Sequence, residues 1–306
     1  MSREGIEQQY SDTAEVAAGY RAVAYKEYPG TDIGSDFLAA NFISPSHKFL
    51  VNFGFVRNLG IRKSRKFTPG GFEYVLARTA FFDQQVLNAV EAGAKQIVIL
   101  GAGFDTRANR FAEQFLGCKI IELDIATTQN RKKKYLRKAG ITIPNNLTFA
   151  PIDLNLESLP DVLQKSGYDN EIKTVFLWEG VSMYLEKKAV DATLQFVSAC
   201  KNEESLLVFD YITNIDDSDV DKYYGVKTWR KTWAKYRQAE PFKFTITDSQ
   251  LASYADEMGL RIRALWNEKE IEECYLPTVN FKNLQKVTGW FRFVTVSPTT
   301  NRHAAF

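Results

Sequence analysis

The sequence predicts an α/β protein with a mostly parallel sheet, helices on both faces and antiparallel strands at its C-terminal end. Three observations carry this prediction. From Gln96 onward, short apolar runs rich in β-branched residues alternate with amphipathic stretches. The first run ends at a Gly-Ala-Gly turn, as strand-to-helix junctions often do. Near the C-terminus, two segments alternate polar and apolar residues with the period of a strand.

The elements follow in order. Gln96–Leu100 (QIVIL) is a buried strand ended by Gly101, and Lys119–Leu123 (KIIEL) is a second strand followed by a basic helix over Thr127–Lys138. Leu147–Ala150 is a short third strand leading to Asp153. Thr174–Trp178 (TVFLW) is a fourth, with helical spacing over Lys187–Lys201 after it, and Ser205–Asp210 is a fifth. Asp248–Met258 reads as a helix stopped by Gly259. Leu260–Trp266 and Trp290–Val296 are the two C-terminal strands.

Two segments stand outside this alternation. The first 95 residues are mostly helical in pattern, with turns at Pro29-Gly30 and Pro69-Gly70-Gly71. Thr213–Pro241 begins with an acidic run (Asp216, Asp217, Asp219, Asp221) and continues as an aromatic, basic helix containing Tyr223, Tyr224, Trp229, Trp233 and Tyr236. Both are expected to cover the carboxyl ends of the strands, where open α/β sheets bind ligands. The expected organisation is one domain: a helical cover over 1–73, a core over 74–212 and 242–306, and a lid over 213–241.

Composition narrows the function. The chain has 306 residues, and its 39 Lys plus Arg against 37 Asp plus Glu leave a net charge of +2, too little for a protein that lives on phosphate backbones. With 45% hydrophobic residues it can build a large core without metal or disulfide support. Its cysteines (Cys118, Cys200, Cys274) are odd in number and far apart, and its two histidines (His47, His303) are too distant in the chain for a metal motif. No stretch approaches the ~20 apolar residues of a membrane span, and the polar N-terminus lacks a signal-peptide apolar region. A cytoplasmic protein without membrane or nucleic-acid partners is expected.

The chemistry concentrates in Gln96–Arg110, QIVILGAGFDTRANR. Glycines at this junction let the backbone turn tightly and approach a nucleotide-sized ligand. Asp124 lies 23 residues beyond Gly101 at the end of the next strand, where a carboxylate accepts hydrogen bonds from ribose hydroxyls. A dinucleotide fingerprint wants a third glycine where this chain has Thr106, and Asp105 at the expected helix start would repel a pyrophosphate. S-adenosylmethionine carries a sulfonium and an ammonium but no phosphate. The acids Asp105, Asp124, Asp153 and Glu179 after successive strands suit it better than they suit NAD.

The segments ARTAFFD (Ala77–Asp83), QIVILGAGFDTR (Gln96–Arg107), IELD (Ile121–Asp124), PIDL (Pro151–Leu154) and WEGVSMYL (Trp178–Leu185) together resemble the leucine carboxyl methyltransferase family. The resemblance covers roughly Tyr74–Leu185. It implies a class I methyltransferase (Rossmann-like) fold and S-adenosylmethionine-dependent O-methylation of a carboxylate or hydroxyl on a small natural product. A family alternative is carboxyl methylation of a protein C-terminus, and an alternative from another class is an NAD-dependent oxidoreductase. The resemblance further implies that Arg78 contacts the cofactor's carboxylate and that Gly101, within Gly101-Ala102-Gly103, passes under its methionine part. Asp124 would hold the ribose, Asp153 and Leu154 the adenine, and Glu179 would lie near the amino group. His47 and Lys48 both lie near the place of the family's N-terminal basic residue.

A carboxylate acceptor is ionised at neutral pH and needs no base, whereas a hydroxyl would need one, and the sequence does not name it. Arg78 and Tyr184 are the candidates to orient the acceptor. For Tyr184, packing under the sheet edge is an equal reading. Trp229, Trp233 and Tyr236 share a helix face and read as packing under the lid, with an acceptor pocket as the alternative. The run RKKKYLRK (Arg131–Lys138) reads as the solvated face of the second sheet helix.

Overall fold

The sheet has the strand order β3-β2-β1-β4-β5-β7-β6, from Gln96–Leu100 (β1), Lys119–Asp124 (β2), Leu147–Pro151 (β3), Thr174–Trp178 (β4), Leu206–Ile212 (β5), Leu260–Trp266 (β6) and Phe291–Pro298 (β7). The structure, a computed structural model, describes residues 3–236, 241–276 and 284–299. His303 and positions 237–240 of the expected lid lie outside the described residues, as does the side chain of Tyr236. Strands β1 to β5 pair in parallel, and β7 runs antiparallel to both β5 and β6. Every expected strand is present, with ends shifted by two residues or fewer. The strands of the sheet's centre read as uninterrupted apolar runs because they are buried on both faces.

The helices follow the same logic. Arg3–Glu27 (α1), Pro45–Leu50 (α2) and Gly54–Phe67 (α3) precede the sheet, and Gly71–Glu91 (α4) packs beneath it. Helix α4 buries most of its first three turns, including Phe72, Leu76, Ala80, Phe81 and Phe82. Arg107–Arg110 (α5) is only four residues long, Ala126–Lys138 (α6) follows β2, and Leu159–Lys165 (α7) follows β3. Lys187–Ser198 (α8) lies between β4 and β5, and Val226–Tyr236 (α9) lies within the segment expected as a lid. Asp248–Glu257 (α10) and Glu268–Tyr275 (α11) flank β6, each opened by a reciprocal capping box, Thr247 with Gln250 and Asn267 with Glu270. No helix among the described residues is long and apolar enough to cross a membrane.

The chain places β2 and β3 on one side of β1 and β4 and β5 on the other. At that reversal the loops leaving β1 and β4 diverge, opening a crevice at their carboxyl ends. Helices α1 and α9 supply its outer walls.

The basic run does not stay in solvent. Lys132 turns fully into the core and pairs with Glu122 at 2.5 Å, while Arg131 pairs with Asp12 and Glu15 of α1. A 3.6-residue period carries every third or fourth side chain of such a run back toward the sheet, and only part of the run is a solvated face.

Candidate active site

One cleft of about 380 Å³ at the crevice brings together Arg78, Gly101, Ala102, Gly103, Asp124, Asp153, Leu154, Glu179 and Tyr184, all expected at a cofactor or acceptor. They arrive from α4, the loops after β1 to β4, and the turn Ser182–Tyr184.

The loop after β1 is fixed by glycine. Gly101 has φ +65°, and a Cβ there would lie 2.4 Å from Val181 Cγ2 across the cleft floor. A side chain would therefore fill the passage as well as strain the backbone. Gly101→Ala is expected to cost about 1–2 kcal/mol from the left-handed backbone alone. A lowered midpoint in thermal unfolding checks this, and an unchanged midpoint would refute the reading of the turn.

Asp124 stands at the end of β2. Its Oδ2 accepts from the Gly103 amide at 2.6 Å and its Oδ1 from the Ile125 amide at 2.7 Å. The Thr128 hydroxyl is a third partner, and since a carboxylate offers about four acceptor positions, capacity remains for a ligand hydroxyl. Burial pushes its carboxyl up to about 6, against the lowering effect of those two amides. Asp153 lies half-buried beyond β3, where its Oδ1 accepts from the Asn155 amide at 3.0 Å.

The remaining acids depart from expectation. Asp105 does not open a helix toward the cleft, because the chain continues through buried Thr106 and forms only the short α5. Its carboxylate is bound instead by the Arg107 guanidinium and by the Arg107 amide at 2.7 Å. Glu179 is also spoken for: Oε1 takes Arg78 Nε at 2.9 Å and Oε2 takes Arg107 Nη1 at 2.8 Å. Two of the four acids, Asp105 and Glu179, are thus neutralised by arginines. The same geometry removes the helix N-terminus that a pyrophosphate would need, so the dinucleotide alternative loses its anchor.

The arginines form a continuous buried chain. Arg21 meets Asp36 at 2.8 Å, and Arg110 meets Asp36 at 3.6 Å and Asp83 at 2.6 Å. Arg107 meets Asp83 at 2.7 Å, as well as Asp105 and Glu179. Arg78 joins Glu179 to Asp210, the latter at 3.4 Å. Burial opposes the charge on Asp83, but Arg110 and Arg107 outweigh it and hold the carboxyl below its usual range. Asp105 is held low in the same way by Arg107 and Lys132, again against burial.

Sequence reasoning missed Arg21, Tyr74, Asp83, Arg107, Arg110 and Asp210 as members of this site. Asp83, Arg107 and Arg110 lie in or beside the quoted segments, and the signal was their sign pattern, which spacing alone does not pair. The N-terminal basic side chain at the cleft is Arg21 of α1, which donates to the Phe104 carbonyl at 2.7 Å. Neither His47 nor Lys48 lines the cleft. His47 is exposed on α2, 3.9 Å from Glu15, and Lys48 donates to Asn41 at 2.7 Å.

Beyond Arg78 the cleft is walled by aromatics. Trp233 stacks on Phe242 with ring centroids 4.6 Å apart, Tyr184 lies 5.5 Å from Phe242, and Trp229 lies 5.8 Å from Trp233. Trp229 also anchors α9 by donating to the Pro69 carbonyl at 3.1 Å. Of the helix face read as packing, Trp229 and Trp233 do pack, and both also line the cleft.

Comparison with known proteins accords with this arrangement. A Bacillus subtilis protein, YktD, provisionally named an S-adenosyl-L-methionine-dependent methyltransferase, is 30% identical over 202 residues, 65% of each chain. A protein of Mycolicibacterium paratuberculosis with the same provisional name is 31% identical over 192 residues, 60% of each. The chain thus spans just under two thirds of the length of these curated relatives. A crystal structure of a provisionally assigned methyltransferase from Thermobifida fusca matches 93% of this chain and 94% of its own, with a TM-score of 0.58 at 15% identity, a likeness of fold. The family model described as leucine carboxyl methyltransferase matches residues 14–198, and with more than half of its length matched this chain belongs to that family.

Proposed function

We propose that the cleft binds S-adenosylmethionine and that the protein is an O-methyltransferase acting on a small acceptor seated among the aromatics. The observation that carries this reading is the pairing of the Gly101 passage with Asp124. A left-handed backbone turn that favours glycine runs beside a half-buried carboxylate at the end of β2. When bound, S-adenosylmethionine supplies an electrophilic methyl group on a sulfonium. The chain's own contribution is placement: Asp124 accepts from the ribose hydroxyls, Asp153 and Leu154 flank the adenine, and Arg78 faces the amino-acid end. The aromatic wall excludes water and aligns the acceptor oxygen behind the methyl carbon.

The fit is electrostatic as well as steric. Counting the buried chain as ionised, four arginines (Arg21, Arg78, Arg107, Arg110) face five carboxylates (Asp36, Asp83, Asp105, Glu179, Asp210). The surplus negative charge suits a ligand with one net positive charge.

Affinity should depend on pH through Asp124. The ribose hydroxyls bind the carboxylate better than the neutral acid, and that acid's value is about 6 in the folded protein. Calorimetric titration is therefore expected to show S-adenosylmethionine binding at full strength above that value. Below it, affinity should weaken toward about tenfold per pH unit. Without ligand the sign is opposite: the folded state holds this proton more tightly than the unfolded one. Stability from this group falls as pH rises from 3.8 to about 6 and is flat above. Affinity that is flat from pH 5 to pH 8 would reject Asp124 as the ribose ligand, and no binding at any pH would reject the function.

A further inference from the structure

We propose that the acceptor is a neutral hydroxyl on an aromatic body, and that Tyr74 and Asp210 take its proton. The inference rests on the methyltransferase reading above and chooses between the two acceptor groups that reading leaves.

Charge argues first. Each guanidinium at the cleft floor already faces carboxylates: Arg78 has Glu179 and Asp210, and Arg107 has Asp83, Asp105 and Glu179. A cofactor of net charge +1 offsets the surplus anion of this chain. A further carboxylate would enter with no counter-charge left for it, and a desolvated unpaired charge is costly. A hydroxyl brings no such charge.

Geometry supplies the base. The Tyr74 ring lies against Phe291, centroids 4.0 Å apart, and lines the cleft beside Trp229. Its hydroxyl donates to Asp210 Oδ2 and accepts a long bond from Arg78 Nη1 at 3.5 Å. Asp210 is fully buried at the end of β5, and its other oxygen accepts from the Gly180 amide at 2.6 Å. Tyr74 is therefore a side chain of the cleft lining whose hydroxyl is joined to a buried carboxylate. Burial raises the Asp210 carboxyl against the pull of Arg78, and burial next to Asp210 raises the Tyr74 phenol well above its usual value. Tyr74 is thus held protonated and serves as a relay, not as a standing phenolate.

The step balances. The acceptor's proton passes to the Tyr74 oxygen as the Tyr74 proton passes to Asp210. An oxygen lone pair forms the bond to the methyl carbon as the carbon–sulfur bond breaks and its electron pair stays on sulfur. The products are a methyl ether, a neutral thioether and protonated Asp210, which returns its proton by the same route when the product leaves.

The test uses the full chain and two probes with one ring system, 2-naphthol and 2-naphthoate. Calorimetry with S-adenosylmethionine comes first, and absence of binding there sinks the methyltransferase reading. In protein saturated with S-adenosylhomocysteine, 2-naphthol is expected to bind at least about tenfold more tightly than 2-naphthoate. Tyr74→Phe keeps the ring against Phe291 and every charge of the chain, so the preference should remain while the relay is lost. With methyl-labelled cofactor, 2-naphthol should be methylated, and Asp210→Asn should lower kcat while leaving KM within about twofold. With cofactor binding intact, four results each overturn the inference alone: 2-naphthoate binding as tightly, neither probe binding, Tyr74→Phe methylating 2-naphthol as fast as the parent, or 2-naphthol binding without being methylated.

Discussion

Asp124→Ala is expected to weaken S-adenosylmethionine binding about a hundredfold, roughly 3 kcal/mol, while the protein stays folded. The size follows from the charge-assisted hydrogen bonding of the ribose hydroxyls to this carboxylate. The fold should survive because the residue's partners, the Gly103 and Ile125 amides and the Thr128 hydroxyl, lie at the loop, where water can substitute once the side chain is shortened. Removing an acid whose carboxyl is raised to about 6 by burial also removes a cost of holding it charged at neutral pH. Thermal unfolding without ligand should therefore change little, and the shift that ligand normally adds should vanish. Equal affinity in the two proteins, measured by calorimetry, would show that Asp124 plays no part in ligand binding.

The largest effect on stability is expected at Arg107. This side chain is almost wholly buried and touches three carboxylates, Asp83, Asp105 and Glu179. Burial alone would weaken its charge, but the three acids outweigh that and raise it well above its usual value. Arg107→Met keeps most of the aliphatic volume, takes the guanidinium from buried Asp105 and leaves Asp83 to Arg110 and Glu179 to Arg78, at a cost of about 3–5 kcal/mol. The midpoint of thermal unfolding should fall by roughly 5–10 °C. An acid-side signature should accompany it. Asp83 and Asp105 are held below their usual range in the native protein, so the stability they give is present above about pH 4 and is lost as pH falls through their folded values. In Arg107→Met that acid-dependent loss should shrink, because part of what holds the acids charged has gone. A variant as stable as the parent at pH 7 would contradict the reading of this chain of charges as structural.

How much of this was legible in the sequence depends on what kind of contact carries it. The strands were legible because a sheet covered on both faces needs unbroken apolar runs, and QIVIL and TVFLW have no other use. The glycine turn and Asp124 were legible because they belong to one local strand-turn-strand unit, where spacing along the chain fixes position in space. Helices α7 and α11 passed unread although their starts are written in Ser158-Leu159-Pro160 and in the box Asn267 to Glu270. At seven and eight residues they are too short for periodicity to show.

The charge network was not legible for a different reason. Arg78 and Asp210 are 132 positions apart, and Arg107 and Asp83 are 24 apart on opposite sides of β1. Which acid meets which arginine is decided by the sheet's order, and no local pattern records it. Hence Asp105 and Glu179 read as free acids when both are claimed by Arg107. For the same reason His47 and Lys48 stood in for Arg21, whose partner Asp36 lies beyond the end of α1 and one short helical turn, Asp32–Gly34. The loop from β1 reads as the start of a full helix because the usual βαβ pattern supplies one, and the tight set of ion pairs around Arg107 cuts it to four residues.

The most direct test of the central claim is a crystal structure of the protein with S-adenosylhomocysteine. The ribose hydroxyls should lie within hydrogen-bond distance of Asp124, the adenine beside Asp153 and Leu154, and the amino-acid end over Gly101 toward Arg78. The same molecule bound elsewhere, or bound here with its ribose turned away from Asp124, would contradict it.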